Sequence, residues 1–143
     1  MTATGQCDFL TPVDDGVRRL IGDMPFQTRY GLVVVPDGFP TNLFSVVPDT
    51  KYPDFWKASI LHDFMYSEIR KKNPDRTIQK KRHADQAFYD EMLIQSAVIF
   101  GKLQYHVGTA MAVDEFHKLL KLSKLYYRGV SGLLGRIYQI FAD

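Results

Sequence analysis

The sequence has little of several features that define whole classes of protein. It contains a single cysteine, Cys7, so the chain cannot form an internal disulfide or a zinc site with four thiolates. No stretch reaches the roughly 18 consecutive apolar residues of a membrane-spanning helix, and no charged and apolar leader is visible. We therefore expect a soluble protein without a membrane span, made in a reducing compartment.

Charge and phosphate-binding motifs are also weak. The net charge is +2, which does not by itself indicate nucleic-acid binding. The basic residues gather only in short runs at 70–72 and 80–82, which we interpret as solvated helix ends. Neither a glycine-rich phosphate loop nor a serine nucleophile motif is present. Nucleic acid is thus not an expected partner.

The chain does have many apolar residues, and their spacing changes from a strand-like to a helical period along the sequence. At 143 residues and 45% hydrophobic, it is long enough for one domain with a core. We predict an α+β fold, mostly helical, in which a small N-terminal antiparallel β unit is followed by three to four helices. The predicted parts of the single domain 1–143 are an irregular arm at 1–24, the β unit at 25–50, a helical core at 54–127 and a C-terminal amphipathic helix at 130–143.

The apolar spacing places the individual elements. Alternation predicts a strand over 26–35, stopped by Pro36, and a partner strand over 39–47 that Pro40 weakens. A 3.6-residue period predicts helices over 54–70, 78–99 and 103–127. Gly101 is placed to end the second of these helices, and Gly108 to bend the third.

Ionisable residues lie inside two of the predicted apolar helices. His62 and Asp63 adjoin each other on the first, and His83 and Asp85 lie on the second. Such side chains are costly to bury unless they pair, hydrogen-bond or hold a metal. If the two helices form an antiparallel hairpin, His62, Asp63 and Asp85 come together, and a loop covers them. The polar residues of this loop are Thr41, Asn42 and Ser45, and Tyr66 on the first helix completes the predicted polar network.

This cluster has three chemical interpretations. An imidazole with two carboxylates is a ligand set for zinc or manganese, so His62, Asp63 and Asp85 are the candidate metal ligands. In that case His62 and Asp63 are catalytic and His83 is a candidate acid or base. Without a metal, the same groups form a buried hydrogen-bond network that stabilises the fold. Metal-free acid/base catalysis is the third interpretation.

The C-terminal segment carries a second candidate surface. An apolar stripe on the predicted last helix must be buried against the parent domain or against a partner. The chain also has eight tyrosines and ten phenylalanines, residue types that supply much of the binding energy at interfaces. The candidate interface residues are Leu133, Leu134, Ile137 and Phe141.

Three ordered motifs resemble a family of small phage and prophage proteins of unknown function. They are Val-Pro-Asp-Gly-Phe-Pro-Thr-Asn at 35–42, Leu-His-Asp-Phe-Met-Tyr at 61–66 and Ala-Asp-Gln-Ala-Phe at 84–88. The family has Gly-Phe-x-Thr-Asp, Leu-His-Asp-x-x-Tyr and Ala-Asp-x-x-Phe at these places, and the resemblance covers about residues 30–115. Asn42 replaces the family's aspartate, which removes one anionic ligand.

The resemblance implies a phage setting. The family has no settled activity, but in a phage setting the aromatic content and the apolar C-terminal helix favour a virion or assembly-associated structural protein. We expect it to dock onto other phage proteins and copies of itself, made in the host cytoplasm and then carried in the virion. In this interpretation the His-Asp/Asp cluster mainly stabilises the fold. The alternative is a small metal-dependent hydrolase that uses His62, Asp63 and Asp85.

Overall fold

The computed structural model describes residues 8–41, 52–72 and 78–131. Within these ranges a small antiparallel β unit near the N-terminus is followed by three α-helices. The predicted fold class, α+β and mostly helical, is confirmed. Asn42, Ser45 and the four interface residues predicted in the C-terminal helix lie outside the described residues.

The β unit consists of two short pairs. Strand β1 (Arg18–Arg19) pairs with β4 (Pro40–Thr41), and β2 (Met24–Thr28) pairs with β3 (Gly31–Val35). Both pairs are antiparallel. Of the predicted partner strand at 39–47, residues 39–41 are described. Within them Pro40–Thr41 forms a strand, and its partner is β1 rather than the strand predicted at 26–35.

The prediction of one continuous strand over 26–35 is wrong, because the chain reverses within it. Arg29 and Tyr30 form the turn between β2 and β3. The Thr28 hydroxyl donates to the Gly31 carbonyl at 2.7 Å and accepts from the Tyr30 amide at 3.1 Å. Gly31 has φ +117°, a conformation that only glycine adopts without strain. The turn therefore depends on a side-chain bond and a single glycine.

The helices agree with the predicted period but not with the predicted ends. Helix α1 (Trp56–Lys72) follows a 3₁₀ turn at Pro53–Phe55, close to the predicted 54–70. Helix α2 (Ile78–Val107) continues through Gly101, so the predicted end there is wrong. Gly108 separates α2 from α3 (Thr109–Ser131). Gly108 has φ +89°, a left-handed conformation that ends the helix. A glycine inside a helix, such as Gly101, costs only about 1 kcal/mol relative to alanine and need not end it.

Helix α2 lies between the other two. The pairing of Phe100 with Phe116 and of Tyr89 with Tyr127 shows that α3 runs antiparallel to α2. The face of α2 that packs against the other elements carries buried apolar side chains. The buried apolar residues include Leu20, Val35, Phe55, Ile60, Leu61, Ala84, Ala87, Phe88, Met92 and Leu119.

The end of the α2–α3 hairpin extends past the beginning of α1. Asp54, just before α1, contacts Lys102 of α2 at 2.5 Å, which fixes the level at which α1 begins. Beyond it, the apolar residues Val107 and Met111 are exposed, although their spacing fits an apolar stripe. No helix among the described residues is long and apolar enough to cross a membrane.

Candidate functional site

The centre of the site is a buried pair between α1 and α2. His62 Nε2 lies 2.8 Å from Asp85 Oδ1, and the two residues are only 2% and 1% exposed. An ionised carboxylate can only accept, so Nε2 carries the proton and donates. The antiparallel arrangement of α1 and α2 thus brings together two of the groups singled out in the sequence.

Two further donors complete the shell of Asp85. The Tyr66 hydroxyl donates to Oδ1 at 3.1 Å, and Lys81 Nζ donates to Oδ2 at 2.6 Å. Lys81 is 3% exposed and also donates to the carbonyl of Val130 at 2.6 Å, in the last turn of α3. We call His62, Tyr66, Lys81 and Asp85 the Asp85 cluster. It joins all three described helices.

The electrostatics of the cluster are balanced internally. A buried carboxylate costs several kcal/mol unless opposite charge and hydrogen bonds compensate. Lys81 supplies the opposite charge, and its contact with the end of α3 is favourable because the carbonyl end of a helix is negative. Aromatic rings surround the imidazole: the centroid of the His62 ring lies 4.4 Å from that of Tyr66 and 4.8 Å from that of Phe88.

Asp63 lies on a different side of α1. Its Oδ2 accepts from the Thr41 hydroxyl at 2.7 Å, and Thr41 is buried at the end of β4. Asp63 therefore attaches the β unit to α1, while His62 faces Asp85. Within residues 8–41, 52–72 and 78–131, no three His, Cys, Asp or Glu side chains are grouped so as to hold a metal ion.

His83, the predicted acid or base, contacts the β unit. Its ring stacks on Tyr30 with 4.2 Å between centroids and 21° between planes. Beside it, the Arg29 guanidinium makes a two-pronged contact with Asp90 at 2.7 and 2.8 Å. The hydrogen bond to Asp90 raises the pKa of Arg29 further above its usual value. These contacts attach the β2–β3 turn to α2.

Lys81 is the member of the cluster that the sequence reasoning missed. It stands in the basic run at 80–82, which was interpreted as solvated. The signal that could have identified it is the i,i+4 spacing to Asp85, at which oppositely charged side chains meet on a helix. Its neighbour Arg82 is exposed, as that interpretation expects.

The carboxylate of Asp85 has little room for a further ligand. Both oxygens of Asp85 already accept hydrogen bonds, and every member that contacts it is wholly or partly buried. A metal at Asp85 would have to displace the Lys81 ammonium from Oδ2. The carboxylate of Asp85 is therefore closed off, whereas Nδ1 of His62 is buried without a hydrogen-bond partner among the described residues.

Comparison with known proteins gives one family. No curated protein and no solved structure matches the chain. One protein family matches residues 19–107, the part that runs from β1 to the end of α2 and contains all four members of the Asp85 cluster. The chain belongs to this family, which is described as "Protein of unknown function (DUF1353)".

Proposed function

We propose that this protein is a phage-encoded, virion or assembly-associated component that docks onto other phage proteins. In this proposal the Asp85 cluster keeps three helices in register and does no chemistry. The observation that carries the proposal is the closed shell of Asp85. The carboxylate is 1% exposed and receives donors from three side chains.

The free-energy cost of burying ionic groups supports a structural role for the Asp85 cluster. Buried ionic groups are stable only when every partner is present, so they favour one arrangement of the elements that carry them. Here the partners come from α1, α2 and the last turn of α3. A protein that presents a surface to an assembly needs its helices fixed relative to one another, and this network supplies that constraint.

The exposed end of the α2–α3 hairpin supports docking. Tyr105 is 90% exposed, Met111 63% and Val107 44%. We call residues 105–111 the hairpin end. Exposed apolar side chains that lie together commonly mark interaction sites, and all three of these residues lie within the seven residues 105–111. Tyrosine is also enriched among the residues that dominate binding energy. The hairpin end extends past α1, so a partner can reach it from several sides.

The metal-dependent hydrolase is the less favoured alternative. It needs His62, Asp63 and Asp85 around one ion, but Asp63 binds Thr41 and the Lys81 ammonium lies on Asp85. A cation of the chain at the metal position opposes a second cation by Coulomb repulsion.

The test is to look for the protein in particles of the phage that encodes it. Quantitative mass spectrometry of purified virions and assembly intermediates should find it in multiple copies. A Tyr105→Ser/Met111→Ser variant should be depleted from these particles. Leu125→Ser is the matched control, because Leu125 is 62% exposed on α3 but distant from the hairpin end. Absence from all particles, or normal incorporation of the double variant, would contradict the proposal.

A further inference from the structure

The outer edge of β3 has unused hydrogen-bonding groups. Thr28 and Gly31 flank a two-residue turn and therefore form a hydrogen-bonded pair, as do Phe26 and Val33 by the same register. The N–H and C=O groups of Leu32 and Val34 consequently point away from β2. No hydrogen bond connects these groups to another described residue.

The two edges of the β2–β3 hairpin are not equivalent. On β2 the outward position opposite Val34 is Pro25, which has no N–H and so cannot support a further strand. Strand β3 contains no proline and no charged residue. Natural proteins usually protect an edge strand with such residues, because an unprotected edge can pair with another chain.

The side chains along the β3 edge are apolar and exposed. Leu32 is 65% exposed and Val34 is 43% exposed, and both lie on the face of the hairpin opposite Phe26 and Val35. A strand placed beside β3 would cover these two side chains and satisfy the free backbone groups at once.

Hydrogen bonds also hold the edge strand in place at both ends. At the turn, Arg29 binds Asp90 of α2 through two hydrogen bonds. At the base, the Asp37 amide donates to Asp23 Oδ1 at 2.8 Å. A strand that is already fixed in the extended form loses less conformational entropy on pairing than a mobile one.

We propose that the β3 edge binds a second copy of this chain, with the two β3 strands antiparallel about a two-fold axis at Val33. In this register Leu32 of each copy lies opposite Val34 of the other. The outward backbone groups of these residues meet as hydrogen-bonded pairs, each of which exchanges two bonds. The exposed apolar side chains of one copy then contact those of the other.

The register favours a second copy of this chain as the partner, because the β3 edge is complementary to itself. A two-fold contact uses the same patch on both partners, and here each free donor faces a free acceptor while each apolar side chain faces another. The strand is five residues long, so the contact is smaller than a standard stable interface, and we expect association only at high protein concentration. This inference does not depend on the proposed docking at the hairpin end.

The first test is a concentration series on the full chain. Sedimentation equilibrium should show a reversible monomer–dimer equilibrium between micromolar and millimolar protein. Over the same range, amide hydrogen exchange measured by NMR should slow at Leu32 and Val34 and stay constant at Val33, whose amide already bonds to β2. A chain that stays monomeric throughout, or that dimerises without protection of Leu32 and Val34, would overturn the proposal.

The second test is a charge swap that checks the register. The variants Leu32→Lys/Val34→Lys and Leu32→Glu/Val34→Glu should each associate at least about tenfold more weakly, a change of about 1.4 kcal/mol, since like charges then face each other. Mixing them should restore dimers, because every lysine faces a glutamate. Gln27→Lys, on the same face of β2, is the control and should dimerise normally. Circular dichroism verifies folding, and failure of the mixture to dimerise would refute this register.

Discussion

Replacing Lys81 by methionine is the sharpest perturbation of the Asp85 cluster. Methionine keeps most of the length and apolar volume of lysine but removes the ammonium group. In the native protein this group donates to Asp85 Oδ2 and to the Val130 carbonyl, both at 2.6 Å. Lys81→Met therefore leaves a 1% exposed carboxylate without its counter-charge, and it leaves a helix-end carbonyl without its donor.

The expected loss is large compared with the total stability. Removing one partner of a buried ion pair costs about 3–5 kcal/mol, and the lost bond to Val130 adds about 1 kcal/mol. Domains of this size have unfolding free energies of about 5–15 kcal/mol. Lys81→Met should thus bring the protein close to the limit of folding, with a far lower urea midpoint.

A second substitution separates charge burial from lost packing. In Lys81→Met/Asp85→Asn, the buried side chain is neutral, and its oxygen still accepts from His62 and Tyr66. The double variant should be more stable than Lys81→Met by about 1 kcal/mol or more, because no uncompensated charge remains. Lys118→Met is the exposed control. Its ion pairs with Asp114 and Glu115 lie at the surface, so its cost should stay below about 1 kcal/mol.

The assay is urea unfolding at neutral pH, followed by circular dichroism, of the wild type, Lys81→Met, the double variant and the Lys118→Met control. A loss below about 1 kcal/mol in Lys81→Met would refute the reasoning. So would a double variant that is no more stable than the single one, because the penalty would then not come from the buried charge.

Three further predictions concern the helix ends, a buried acid and the link to the β unit. Gly108→Ala should lower the unfolding free energy by about 1–2 kcal/mol, because φ there is +89°. Gly101→Ala should raise it by about 0.5–1 kcal/mol, because Gly101 lies inside α2 and an added Cβ meets no atom within 4 Å. Urea midpoints in the opposite order would contradict the observed end of α2. Burial raises the pKa of Glu91, so the folded state favours the neutral acid and loses stability as pH rises through that raised value. Glu91→Gln should consequently be more stable than the wild type at neutral pH, with a difference that disappears as pH falls toward the ordinary value, and a pH-independent difference in melting temperature would exclude this cause. Thr41→Val removes the 2.7 Å donor to Asp63 and should cost about 1 kcal/mol or more in thermal unfolding, while an unchanged melting temperature would show that this bond does not stabilise the attachment of β4.

The sequence was sufficient for the helical part of the fold because periodicity reports burial directly. Phe88 and Met92, one helical turn apart within the predicted second helix, are both buried. Helix ends were harder to predict: the end was expected at Gly101 and only a bend at Gly108, whereas α2 passes Gly101 and ends before Gly108. The backbone distinguishes the two glycines: α2 continues helically through Gly101, and the left-handed φ of Gly108 ends it.

The β2–β3 turn and the cluster show two further limits. The turn lacks the usual Asn-Gly or Asp-Gly signal and depends on Thr28 and Gly31 instead. In the cluster, His62 and Asp85 were visible as polar residues on apolar faces, but Lys81 looked like a surface cation. Its burial depends on the last turn of α3, some fifty residues away in sequence, and local spacing does not report such a contact.

The central claim is that the Asp85 cluster stabilises the fold without a metal ion. The most direct measurement combines the metal content of the purified protein with its urea midpoint before and after chelation, in the wild type and in His62→Ala. We predict no stoichiometric metal, a midpoint unchanged by the chelator and a large loss of stability in His62→Ala. Stoichiometric zinc or manganese that His62→Ala loses, together with a midpoint that falls on chelation, would contradict the claim.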